Sequence, residues 1–205
     1  MIRVGLTGGI ASGKTFVCRL FEAKGCTIVD ADTVAHRLIL RGQFGYEPVL
    51  NAFGSVILGA GGEIDRAKLG AIVFSDRTLL DRLNGILHPE VVRVILSQLD
   101  SREREQPLAK VIVDASLMIE SGFYRSFQKL IVVSCTPQQQ IDRLGARNGL
   151  SEADARRRIA LQMPLEEKVR FGDYVIDNSG TPESTKAQVD ALFETLEGTV
   201  WTTSH

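Results

Sequence analysis

Short apolar, β-branched runs alternate with stretches of helical periodicity along most of the chain. Ile2-Arg3-Val4-Gly5-Leu6 reads as a buried strand, and Phe16, Val17, Leu20 and Phe21 fall at helical spacing behind it. Lys24-Gly25 closes that helix, and Cys26-Thr27-Ile28-Val29 is a second strand. Residues 33–106 are expected to be mostly helical, with interruptions at Gly42 and Gly45 and a turn at Gly59-Ala60-Gly61-Gly62. Within them a helix is predicted from Asp76 to Leu87 on the stripe Leu79, Leu80, Leu83, Ile86 and Leu87. His88-Pro89 is expected to break it, and Val91, Val92, Ile95 and Leu99 mark helical spacing beyond. Ser101-Arg102-Glu103-Arg104-Glu105-Gln106-Pro107 reads as a charged surface connection.

Lys110–Asp114 is a third strand and Lys129–Cys135 a fourth. Thr136-Pro137-Gln138-Gln139 opens a helix with Thr as N-cap, Pro at the first position and Gln at the third. Ser151-x-x-Asp154 caps another, whose apolar stripe is Ala155, Ile159 and Met163. Tyr174-Val175-Ile176 is a fifth strand, and a last helix begins at Thr181-Pro182-Glu183 with Val189, Leu192 and Leu196 facing the core. The tail from Gly198 is expected to fray. Strands alternating with helices describe an α/β protein.

The first strand and first helix are joined by Gly8-Gly9-Ile10-Ala11-Ser12-Gly13-Lys14-Thr15, which fits G-x-x-x-x-G-K-[ST]. Backbone N–H groups that turn inward around a phosphate need glycine's conformations and close approach. In such a loop Lys14 reaches the β- and γ-phosphates and the Thr15 hydroxyl binds Mg²⁺. The phosphate also meets the open N–H groups of a helix N-terminus. Gly8, Gly9, Ala11, Ser12, Gly13, Lys14, Thr15 and Phe16 are therefore the candidate nucleotide-binding residues of this stretch.

Acids gather at the ends of strands. The second strand ends in Asp30-Ala31-Asp32, expected one strand over from the phosphate loop, where open α/β sheets collect ligands. On an extended segment the two acids would share a face. One of them could instead cap the following helix. Asp114 ends the third strand; it either holds Mg²⁺ through water or serves as a cap or turn residue. From Asp142 to Arg170 there are six Arg and one Lys against five acids. Arg143 and Arg147 stand i,i+4 on one helical face, and Arg158 and Gln162 sit together. Beside a phosphate loop, this stretch reads as a lid whose arginines close over phosphates, the plainer alternative being a solvated helical hairpin.

Composition narrows the picture further. The 205 residues suffice for one domain with insertions, and a net charge of −1 creates no field toward nucleic acid or an anionic membrane. The three cysteines, Cys18, Cys26 and Cys135, are read as buried free thiols, and His36, His88 and His205 show no zinc-ligand spacing. No apolar signal core opens the chain and no run approaches a membrane span, so a cytoplasmic protein is expected.

Thr7–Thr15, Val29-Asp30-Ala31-Asp32 with Ala35-His36, Leu87-His88-Pro89 and Val175-Ile176-Asp177-Asn178-Ser179-Gly180 together resemble the dephospho-CoA kinase family, from residue 2 to about 197. The resemblance implies a P-loop NTPase fold of the nucleoside-monophosphate-kinase type, with a five-stranded parallel sheet flanked by helices. It implies one domain with a core of residues 1–32, 107–137 and 171–197, a helical substrate-side insertion at 33–106 and a lid at 138–170. The activity implied is ATP-dependent, Mg²⁺-assisted phosphorylation of the ribose 3′-hydroxyl of dephospho-CoA. Asp32 would be the catalytic carboxylate, acting with Lys14 and Arg143. Arg143 and Arg147 would meet ATP phosphates, and the loop around Asn178 would border the adenine. Three positions depart from the family pattern. Ala11 stands where glycine is usual, Ser116 replaces a proline in the segment after strand three, and Gly172 stands where alanine is common.

A kinase for another small hydroxyl substrate, a nucleoside or a sugar acid, is the alternative. A nucleotide-dependent binding switch has less support, because no Asn-Lys-x-Asp segment is present to read guanine. Neither a nucleic-acid nor a membrane partner is expected, and the oligomeric state is not legible.

Overall fold

The computed structural model describes residues 1–198; the tail expected to fray lies, beyond Gly198, outside the described residues. Strands β1 (Ile2–Gly8), β2 (Thr27–Asp30), β3 (Lys110–Asp114), β4 (Lys129–Ser134) and β5 (Tyr174–Asp177) form one parallel sheet in the order β2-β3-β1-β4-β5. Val4, Leu6, Val111, Ile112, Val113, Ile131, Val132 and Val133 are all fully buried. A parallel sheet covered on both faces reads as continuous apolar runs, which is how these strands appear in the sequence.

β2 is not the neighbour of β1, as the sequence suggested; β3 lies between them. The apolar centre of β3 is wholly buried, whereas β2 is half-buried along its length and exposed at Asp30, as suits an edge.

The chain divides into two compact units, Met1–Val29 with the residues from Ser101 onward, and Asp30–Asp100. In the first, helices α1 (Lys14–Glu22) and α9 (Pro182–Gly198) bury Val17, Cys18, Phe21, Val189, Leu192 and Leu196 against the sheet. Helices α6 (Pro137–Asn148) and α7 (Glu152–Ala160) meet through Ile141, Leu144 and Ala155, with Ile10 and Ala11 packed on them. The Thr136–Gln139 capping box is present, Ser151 caps α7, and a short α8 (Leu165–Val169) follows. The second unit holds α2 (Ala31–Leu38), α3 (Tyr46–Phe53), α4 (Arg66–Val73) and most of α5 (Arg77–Glu105), around Val34, Leu38, Val49, Ile57, Leu69 and Val73.

Pro89 does not break its helix: α5 is continuous over 29 residues with Pro89 inside. An interior proline costs about 3 kcal/mol, and the carbonyl it leaves without a donor belongs to Gly85, whose backbone yields most easily. Val91, Ile95 and Leu99 beyond it are buried, and each contributes about 1.5–3 kcal/mol, which outweighs the proline. Nor is the 101–107 stretch a plain connection. Its first five residues are the last turn and a half of α5, and Glu103 there pairs with the Met1 ammonium at 3.1 Å and Arg3 at 2.5 Å. The hydrogen bond from that ammonium, more than the one from Arg3, holds the Glu103 carboxyl below its usual range.

Among the described residues the cysteines form no disulfide; Cys18 and Cys26 are buried and Cys135 half-buried. Burial pushes the Cys26 thiol up to about 11. None of the described helices is long and apolar enough to cross a membrane.

Candidate active site

The parallel register sets Leu6 beside Asp114, Gly8 beside Val133 and Ser134 beside Asp177. The C-terminal ends of β1, β3, β4 and β5 therefore open along one edge of the sheet. Between β1 and α1 the chain turns through Gly9–Gly13, closed by the Ser12 N–H on the Gly9 carbonyl at 3.1 Å. Gly13, at φ 99°, is the N-cap of α1 and brings no capping side chain. The N–H groups of Lys14 and Thr15 thus have no intrahelical acceptor, and the positive end of the helix dipole faces out with them.

Close packing explains the other glycines. A Cβ at Gly8 would lie 2.6 Å from both the Ser12 hydroxyl and the Val133 carbonyl, and one at Gly9 would lie 2.5 Å from the Gln140 amide nitrogen. Ala11 adopts φ 59°, alone among the described non-glycine residues in having a positive φ. That conformation costs an L-residue about 1–2 kcal/mol and explains why glycine suits the position.

Four side chains clamp this loop from outside. Gln140 donates to the Ile10 carbonyl at 2.7 Å, and Gln162 accepts from the Ile10 N–H at 2.9 Å. One Arg143 nitrogen donates to the carbonyls of Ala11 and Ser12 at 3.2 and 3.1 Å, while the other donates to the Asn178 carbonyl at 3.0 Å. Asn178 donates its amide to the Ser12 carbonyl at 2.8 Å and accepts from the Thr185 hydroxyl at 3.0 Å. Gln140, Asn178 and Thr185 are all buried. Carbonyls held outward in this way leave the Lys14 and Thr15 N–H groups directed at whatever fills the loop. Arg147 is exposed and bonds Asn148 at 2.9 Å; the structure does not bring it to the loop.

Lys14 opens α1 with its side chain largely covered. Its ammonium donates to the Ser116 hydroxyl at 3.0 Å and lies 3.9 Å from Asp114. Asp114 also accepts from the Cys18 thiol at 3.6 Å. It is therefore a charge partner at the foot of the loop. Thr15 is exposed in the first turn of α1, and the half-buried Phe16 returns its N–H to the Gly13 carbonyl at 3.0 Å. Among the described residues no three His, Cys, Asp or Glu side chains are grouped to hold a metal ion, so any cation here would rely on a hydroxyl, Asp114 and water.

In the other unit, Asp30 is the N-cap of α2. It accepts from the N–H groups of Asp32 and Thr33 at 2.9 and 3.3 Å and from the Thr33 hydroxyl at 2.7 Å. Asp30-Ala31-Asp32 is consequently not an extended segment with two acids on one face; the cap starts the helix at Ala31 and sets Asp32, exposed, in its first turn. His36 follows one turn later. Burial, aided by Arg66, lowers its pKa, while Asp32 and Asp30 oppose the shift.

The sequence profile of the dephospho-CoA kinase family matches residues 2–183. The chain belongs to the dephospho-CoA kinase family. A dephospho-CoA kinase of Carboxydothermus hydrogenoformans is 41% identical over 198 residues, which cover 97% of this chain and 96% of that protein. A solved structure from Thermus thermophilus superposes with a TM-score of 0.78 at 30% identity, covering 96% of this chain and 98% of that one. A dephospho-CoA kinase from Campylobacter jejuni gives 0.69 at 26% identity, covering 95% and 96%. The fold is that of the P-loop kinases, and membership in a family of small-molecule kinases makes this chain an enzyme that uses a nucleotide.

For a dephospho-CoA kinase family member, the sequence singled out the loop, Lys14, Arg143 and Asn178, marked Ser116 only as a departure from the family pattern, and missed Gln140 and Thr185 as parts of the same site. Gln140 could have been found, since it stands three residues before Arg143 on one face of an amphipathic helix.

Proposed function

We propose that this chain transfers the γ-phosphoryl group of ATP to the ribose 3′-hydroxyl of dephospho-CoA, giving coenzyme A and ADP in the cytoplasm. The observation that carries the reading is the Gly8–Thr15 loop, clamped from outside and open at the N-terminus of α1, in a chain of the dephospho-CoA kinase family.

The residues present fit a triphosphate with Mg²⁺. The Ser12 hydroxyl is buried with no partner among the described residues, and the space around it admits no Cβ at Gly8. Thr15 and, through water, Asp114 offer the oxygen donors that Mg²⁺ prefers. When bound, that ion would offset charge on the transferring phosphate.

The chain's own residues supply the rest. The loop N–H groups, with neighbouring Gly8, Gly9, Ala11, Ser12 and Phe16, position the β- and γ-phosphates, and Lys14, held beside the loop by Ser116, meets them. Arg143, already on the loop, turns its remaining N–H groups to the phosphate, and Arg147 joins when residues 138–170 close as a lid. The segment around Asn178 borders the adenine. Residues 33–106 form the substrate-side insertion. Asp32 orients the 3′-hydroxyl and takes its proton as the oxygen–phosphorus bond forms, while the ADP oxygen departs in line.

The test is ATP consumption with dephospho-CoA against adenosine, AMP and gluconate. Dephospho-CoA should be turned over fastest; faster turnover of a nucleoside or of gluconate would assign the chain to another acceptor.

A further inference from the structure

Lys168 in α8 is a buried charge that the reaction as described does not use. Its side chain has no solvent exposure, and its ammonium donates to the Ser116 carbonyl at 2.6 Å and lies 2.9 Å from Glu120. Glu120 also accepts from the Met163 N–H at 3.0 Å, so one carboxylate holds residues 163 and 168 to the segment behind β3. Burial pushes the Lys168 ammonium below the usual lysine range; Glu120 opposes that shift, and nearby Lys14 adds to it.

A buried ion pair is weak evidence for stability, since apolar side chains of similar size often do as well. What this pair holds is more informative. Ser116 presents its carbonyl to Lys168 and its hydroxyl to Lys14, the latter at 3.0 Å. Among the described residues the other donor to that carbonyl is the Thr7 hydroxyl, at 3.4 Å, and it bonds Ala115 better, at 2.8 Å. The Ser116 backbone therefore depends on Lys168, and the resting place of Lys14 depends on Ser116.

We propose that Lys168 is a positioning residue for Lys14: its ammonium fixes the backbone of Ser116, whose hydroxyl holds the Lys14 ammonium beside the phosphate loop before a nucleotide arrives. The proposal rests on Lys14 being the phosphate-binding lysine. Because Glu120 also grips residue 163, a change in the α7–α8 connection reaches Lys14 by the same route.

ATP affinity measured by calorimetry for the wild type, Lys14→Ala, Lys168→Met and the double variant tests it. Methionine keeps the length of the buried stem and removes the charge. Lys168→Met should weaken ATP binding about tenfold in the wild type and less than about twofold on Lys14→Ala. Equal losses in the two backgrounds, or a lower melting temperature with wild-type affinity, would overturn the proposal. Should Lys14→Ala bind ATP as the wild type does, the phosphate-loop reading itself fails, a different outcome from additivity. If Lys168→Met does not fold, Glu120→Gln takes its place in the cycle with the same two expectations.

Discussion

Asn178 donates its side-chain amide to the Ser12 carbonyl at 2.8 Å, and that same nitrogen occupies the space a Cβ at Gly13 would need. The amide can reach the loop only because residue 13 has no side chain. Gly13→Ala therefore meets two obstacles, the φ of 99° and the overlap with Asn178. It should cost about 1–3 kcal/mol in urea unfolding and abolish measurable ATP binding. Asn178→Ala leaves the Ser12 carbonyl without this donor and should cost a similar 1–3 kcal/mol or so.

Ala11 offers a graded check of loop strain. Ala11→Val places a β-branched residue at φ 59° and should destabilise the protein by about 1–3 kcal/mol while weakening ATP binding. Ala11→Gly relieves the strain but loses a methyl packed against the cluster of Ile141, Leu144 and Ala155, so its stability should stay within about 1 kcal/mol of wild type. A well-tolerated valine would show that the loop does not keep this conformation in solution.

Arg143 links the α6–α8 segment to the loop through the carbonyls of Ala11, Ser12 and Asn178. Arg143→Ala should lower turnover strongly, with Arg147→Ala the milder change. Hydrogen exchange across residues 140–170 should slow when ATP and acceptor are added together. Unchanged protection there would favour a plain helical hairpin over a lid.

The two acids at the start of α2 should separate cleanly. Asp30→Ala removes the cap and should cost about 1 kcal/mol of stability with modest loss of turnover. Asp32→Asn should lower turnover by about 10²–10⁴-fold with ATP affinity nearly unchanged, as expected for a lost general base. Loss of activity on Asp30→Ala with Asp32→Asn still active would exchange their roles.

Local patterns carried far in this chain because its local signals agree with its fold. The Thr136–Gln139 capping box, the Ser151 cap and the five apolar strands are each specified within a few residues, and each forms where the pattern puts it. Pro89 shows the opposite case: a strong local stop is overruled because Val91, Ile95 and Leu99 find a core to enter.

By itself, the sequence determined that a Gly-rich loop joins a buried strand to a helix, that acids end the strands, and which family the motifs resemble. These depend on backbone conformation, turn chemistry and spacing, which neighbouring residues dictate. The tertiary structure alone decided that β3 separates β2 from β1 and that Asp30 caps while Asp32 stays exposed. It also decided that Gln140, Arg143, Gln162 and Asn178 clamp the loop, and that Lys168 and Lys14 meet at Ser116. Those partners lie up to 166 residues apart in the chain. Hydrogen bonds and burial act over a few ångströms, so such pairings exist only once strand order and register have brought the chain ends of the sheet together.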